Sequence, residues 1–128
     1  MKTYDQVKAI LHAEQDLNAN GFRCNGLSYK VDHDASRAEM TCADSLKQFE
    51  RALEFLQQCV HGKSVWKGAT SYTWKHLAER LRNDSGYNIS NGIFIAAAIH
   101  LGFTIKRIPN SPNCFLNISK ESIPEDTY

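Results

Sequence analysis

Residues 71–118 read SYTWKHLAERLRNDSGYNISNGIFIAAAIHLGFTIKRIPNSPNCFLNI. The first part predicts a helix over about 72–82: Trp74, Leu77, Ala78 and Leu81 recur at spacings of three and four, behind Thr70 or Ser71 as a cap. The polar run Asn83-Asp84-Ser85-Gly86 stops it. Ser90 then caps a second helix, Asn91 to Leu101, that is apolar almost all round. A helix without a polar face belongs in the middle of a fold. Its Ala96, Ala97 and Ala98 let neighbours approach closely, and Gly102 is a natural stop. FTIKRI and CFLNI, joined by PNSPN, predict a β-hairpin.

Upstream, a helix over about Tyr4 to Ala19 is expected, with Thr3 as cap, an apolar stripe at Val7, Ile10, Leu11 and Leu17, and Gly21 as its stop. Asn25-Gly26 predicts a tight turn between short strands. DHDASRAEM reads as a polar loop. Leu46, Phe49, Leu53, Leu56 and Val60 define a long amphipathic helix over about 43–60. GKSVWKGATS reads as a loop carrying Trp66. The sum is an α+β fold, mostly helical, with about four helices and a C-terminal β-hairpin, winged-helix-like in 71–118. One domain is expected over 1–128, with a helical half (1–62) and a helix-turn-helix-like half plus hairpin (63–120).

The 128 residues are 42% hydrophobic and 23% charged, ordinary for a globular chain. No apolar run approaches the length of a bilayer span, and the N-terminus lacks the apolar core of a secretory signal. A soluble cytoplasmic protein without a membrane partner is the expectation. Cys24, Cys42, Cys59 and Cys114 form no C-x-x-C unit and are expected as free thiols.

Net charge is +1, but it is unevenly placed: residues 62–108 hold seven Lys/Arg against two acids. This block attracts phosphate or an acidic protein surface, or else is a solvated face. In a winged helix, Lys75, Arg80, Arg82, Lys106 and Arg107 would touch backbone phosphates. The predicted recognition helix, however, offers only Asn91 and His100 as polar readers of bases. Trp66, Tyr72, Trp74 and Tyr87 add aromatics of the kind that anchor interfaces.

Two kinds of chemistry compete with this reading. His76 and Glu79 stand three apart and share a helix face, the arrangement of an oriented general base. No nucleophile sits in a recognisable elbow beside them. The five histidines (His12, His33, His61, His76, His100) show no paired ligand spacing with the cysteines, although Cys59/His61 and Asp32-His33-Asp34 are local groupings. The sequence therefore predicts no metal, no cofactor and no catalytic residue.

The text Ser71-Tyr72, Lys75-His76, Glu79, Ser90-Asn91-Gly92, Phe94 and Ala96–Ala98 resembles a pattern in short uncharacterised bacterial and phage mobile-element proteins, with Asn88 departing from it. The resemblance implies no catalytic role. It implies a phage, plasmid or genomic-island origin and action by binding, in the manner of anti-CRISPR and other anti-defence inhibitors.

The expectation is a non-enzymatic binding protein whose partner is a protein complex of a host defence system or nucleic acid. Its expected contact residues are Lys63, Trp66, Lys67, Tyr72, Lys75, His76, Arg80, Arg82, Lys106 and Arg107. A winged-helix DNA- or RNA-binding regulator is the alternative, and an acid–base enzyme using His76 and Glu79 stands third. The oligomeric state is left open.

Overall fold

The computed structural model describes residues 2–24, 32–80 and 88–122. Within them the chain runs α1 (Lys2–Ala13), β1 (Leu17–Asn18), β2 (Gly21–Phe22), α2 (His33–Glu39), α3 (Ala43–Leu56), β3 (His61–Trp66), α4 (Ser71–Glu79), α5 (Asn91–His100), β4 (Ile105–Arg107) and β5 (Cys114–Ile118), then a 3-10 turn at Lys120–Ser122. The fold is α+β and mostly helical. Its C-terminal sheet is antiparallel with the order β3-β5-β4.

The architecture follows from α5. Ser90 caps it, its hydroxyl accepting from the Ile93 N–H at 3.2 Å. Gly102, at φ 85°, ends it. Asn91 through Ala98 are all buried. Helices α1, α3 and α4 and the β1–β2 hairpin pack around it. Phe55 meets Phe94 at 6.3 Å between ring centroids. Burying Ile93, Phe94 and Ile95 contributes roughly 1.5–3 kcal/mol for each side chain. The closest approach is at Gly92, whose N–H donates to the Ala19 carbonyl at 3.0 Å. A Cβ there would run into the Asn18 carbonyl, so only glycine fits.

Several boundaries differ from the sequence expectation. The first helix ends at Ala13, not Ala19. Arg37 explains this: its guanidinium donates to the carbonyls of Leu11, Glu14, Gln15 and Leu17 at 2.7–3.1 Å. The chain then turns into β1, where buried Asn18 accepts from the Asn20 N–H. The expected loop DHDASRAEM contains α2. Asp32 caps it, accepting from the Ala35 N–H at 3.1 Å, ahead of the good helix formers Ala35, Arg37 and Ala38.

Helix α3 stops at Leu56 rather than Val60, because Val60 is tied to the C-terminal turn: its carbonyl accepts from the Ser119 N–H, and its N–H donates to the Ser122 hydroxyl. The expected loop GKSVW is strand β3. It pairs with β5 through a bulge, and buried Asn117 secures that end by donating to the Gly62 carbonyl while accepting from the Thr104 N–H. The expected turns at Asn25-Gly26 and Asn83–Gly86 lie outside the described residues.

From α3 onward the order is helix, strand, helix, helix, strand, strand, with the first strand laid beside the last. The N-terminal elements are additional, and they cover α5. No helix among the described residues is long and apolar enough to cross a membrane.

Gly92→Ala is expected to cost about 3 kcal/mol or more, because the methyl group meets backbone that cannot yield. Urea unfolding of the purified variant measures this. A loss below about 1 kcal/mol would mean that α5 is not held against the hairpin as described.

Candidate functional site

Helix α4 starts behind Thr70 in an extended conformation and turns Trp74 and Ala78 fully inward. Ser71 is buried too, and its hydroxyl accepts from the Cys114 N–H at 3.2 Å, fixing the start of α4 on β5. These anchors set the direction of the remaining α4 side chains.

Tyr72, Lys75, His76 and Glu79 form one connected cluster. Lys75 Nζ lies 3.4 Å from Glu79 Oε2 and 4.8 Å from the centre of the Tyr72 ring. His76 Nδ1 meets Glu79 Oε1 at 2.8 Å. The Tyr72 and His76 rings contact edge-on at 4.5 Å. Glu79 Oε2 also accepts from the Ile89 N–H at 2.7 Å, which ties α4 to the approach of α5. The Lys75 side chain is only 10% exposed, an uncommon place for an ammonium. Its tolerance there rests on the carboxylate and the ring face. Tyr72, by contrast, is 50% exposed.

Beside this cluster opens a cleft of about 400 Å³. Tyr72 and Lys75 form one side; Ser90 and Asn91, at the start of α5, form the back. Asn20 and Asn113, from the β1–β2 corner and the β4–β5 turn, form the other side. Asn91 holds the walls together. Its Nδ2 lies 3.1 Å from the Asn20 carbonyl, 3.4 Å from the Pro112 carbonyl and 2.9 Å from Asn113 Oδ1. Gly21, at φ 119°, lets this corner close, since a Cβ there would strike both Asn91 Nδ2 and the Pro112 carbonyl. Asn91 Oδ1 is left buried with no partner among the described residues. Such an orphan costs roughly 1–3 kcal/mol. Lys75, with its buried ammonium, and Asn91, with its unpartnered side-chain oxygen, both line this cleft.

The expected contact residues do not share one role. Tyr72, Lys75 and His76 come together. Lys63 on β3, Lys67 after it, Arg80 at the end of α4 and Lys106 on β4 are exposed, with β5 lying between the two lysine-bearing strands. Arg107 is committed elsewhere: it pairs with Asp16 at 3.0 Å, donates to the Arg23 carbonyl and lies over the Phe22 ring at 4.5 Å. Trp66 does not lie in a loop. It sits in β3 with its ring tilted on Trp74 at 5.9 Å, in space that Gly68 leaves open. Arg82 lies outside the described residues.

Several of the candidate metal and acid–base groups have structural partners. His33 contacts Asn18 and the Gln15 carbonyl, His61 stacks on Phe103 at 3.8 Å, and His100 lies against Phe49. Among the described residues no three His, Cys, Asp or Glu side chains gather as a metal site. Both oxygens of Glu79 are engaged, which leaves the carboxylate a fastener more than a free base. Sequence reasoning missed Asn91 as an organiser. The available signal was a carboxamide directly after a cap, on a helix otherwise without polar side chains.

No protein-family model, no curated protein and no solved structure matches this chain.

The thiols differ sharply. The side-chain hydrogen bond with Ser45 holds exposed Cys42 below its ordinary value. Burial pushes Cys59 up to about 11 and Cys114 up to about 12. Because the thiolate is the reactive form, a thiol reagent near neutral pH is expected to modify Cys42 at least about tenfold faster than Cys59 or Cys114. Peptide mapping of the labelled native protein checks this. Equal labelling of all three would contradict the burial described.

Proposed function

We propose that this protein acts by binding and not by catalysis, and that α4 with its adjoining cleft is the surface it offers to a macromolecular partner. The carrying observation is the ordered Tyr72–Lys75–His76–Glu79 cluster, in which a half-exposed ring is braced by a buried charge at the edge of an open cleft. Bracing of this kind lowers the entropy lost when an aromatic anchor docks. An anchor held in place before contact is typical of the few residues that dominate an interface. Exposed Lys63, Lys67 and Arg80 add cationic character that speeds encounter with an acidic surface.

The most concrete form of this reading is an inhibitor of a host nucleic-acid-directed defence complex, acting by occlusion and encoded by a phage or mobile element. Its support is the resemblance of the Ser71–Ala98 text to small mobile-element proteins, together with the fact that Tyr72, Lys75 and Asn91 of that text line one cleft.

A second reading, a winged-helix nucleic-acid-binding regulator, is favoured by the element order from α3 to β5. Lys63 and Lys106 on the sheet, with Lys67 just past β3, would then contact phosphates. The burial of α5 weighs against base reading, because a helix enclosed by protein presents no face to the major groove.

The test pairs the purified protein with purified nucleic-acid-guided effector complexes. Co-elution on gel filtration and loss of target cleavage are expected. Tyr72→Ala should weaken both by about tenfold or more. If the protein ignores every effector but binds duplex DNA with an affinity that falls steeply with salt, the second reading replaces the first. If Tyr72→Ala inhibits as well as the native chain, the α4 surface is not the docking site.

A further inference from the structure

We infer that the cleft between α4 and the start of α5 is a binding site for one nucleotide unit, with its phosphate on Lys75 and Ser90 and its base against Tyr72. This rests on the docking reading of the same surface and names the ligand class that the cleft itself takes.

The phosphate end is built from three features. The Lys75 ammonium carries three N–H donors, and Glu79 Oε2 at 3.4 Å takes one of them loosely. Lys75 can turn toward an incoming anion without stranding Glu79, whose two oxygens keep the shorter bonds from His76 at 2.8 Å and from the Ile89 N–H at 2.7 Å. The Ser90 hydroxyl accepts from the Ile93 N–H, which leaves its own proton free to donate outward. The cleft also meets the start of the ten-residue helix α5, the electropositive end of its dipole.

The base end is polar and planar in character. The Tyr72 ring is half exposed at the rim, where an aromatic face supports a base. Asn113 uses Oδ1 for the bond from Asn91, so its amide N–H groups remain to meet acceptors on a base edge. A cleft of about 400 Å³ is within the range of sites for ligands of this size. Lys75 and the Ser90 hydroxyl offer donors that an anion would take and a neutral peptide segment would not need, and for that reason a phosphate-bearing ligand fits better.

Two details indicate that this corner is shaped for more than stability. Asn91 Oδ1 is buried without a partner among the described residues, and the Lys75 side chain, which lines the same cleft, is only 10% exposed. Natural chains break such local rules mainly at functional sites.

The ligand could arrive as a free mononucleotide or as one unit of a single strand, and titration calorimetry at low salt separates these. The probes are 5′-AMP, adenosine, and a short 5′-phosphorylated single-stranded RNA. We expect 5′-AMP to bind at least about tenfold more tightly than adenosine, as one charge-assisted phosphate contact supplies. Tyr72→Ala and Asn113→Asp should each lower 5′-AMP affinity about tenfold or more. Asp at 113 still accepts the bond from Asn91, so circular dichroism should show an unchanged fold.

RNA binding more tightly than 5′-AMP, with a log–log salt slope near about −0.7, identifies a strand contacted through a single phosphate; equal affinities identify the free nucleotide. Absence of heat with both 5′-AMP and RNA at about 1 mM overturns the proposal, as does affinity unmoved by Asn113→Asp. If nucleotide binding is absent while Tyr72→Ala still abolishes effector binding, the nucleotide site falls and the docking surface stands.

Discussion

Helix α5 is enclosed by three helices and a hairpin, and those elements take their positions from that enclosure. A rod with no polar face cannot meet water, so the chain must wrap it. The wrapping is tight because the residues inside are small where backbones cross: Gly92 under Asn18 and Ala19, and Ala96–Ala98 along the shaft. At its start the helix is tied on three sides. Gln48 of α3 accepts from the Ser90 N–H, Ala19 accepts from the Gly92 N–H, and Asn91 reaches both the β1–β2 corner and the β4–β5 turn. The same knot of hydrogen bonds that seats α5 makes the back wall of the cleft.

The winged-helix expectation would make α5 the base-reading helix, yet α5 is sealed by α1 and the β1–β2 hairpin. Arg37 keeps that cover folded by gathering four carbonyls from the end of α1 and its exit. A guanidinium with five fixed donors suits this task in a way that a lysine would not. Helix α4, by contrast, keeps its outer side open and its Tyr72 ring braced by Lys75 and His76.

The sequence showed the central parts clearly. Ser90 before an unbroken apolar run, Gly102 after it and the alternation of CFLNI gave α5 and β5 nearly to the residue, because local pattern and burial agree there. It failed where tertiary contacts overrode local preference. Nothing near Ala13 stops a helix; Arg37, far along the chain, does. GKSVW has no alternation strong enough to announce a strand, and only pairing with β5 makes it one. Asp32 before Ala35 was a readable cap that the surrounding polar text concealed. The site was legible in part: Tyr72, Lys75, His76 and Glu79 could be placed on one helix face, but Lys75 read as a surface charge is in fact buried, and Arg107 read as a free charge is paired with Asp16. The roles of Asn91 and Asn113 depend on chain segments brought together from afar, which no local spacing encodes.

Amide hydrogen exchange, resolved by residue, reaches the enclosure of α5 most directly. The amides of Ile95 to Ile99 should exchange last in the molecule, only on global unfolding, and later than those of α1 and α2. Exchange in α5 as fast as in α1, through a local opening, would show that the rod is not sealed and would return it to candidacy as a reading helix.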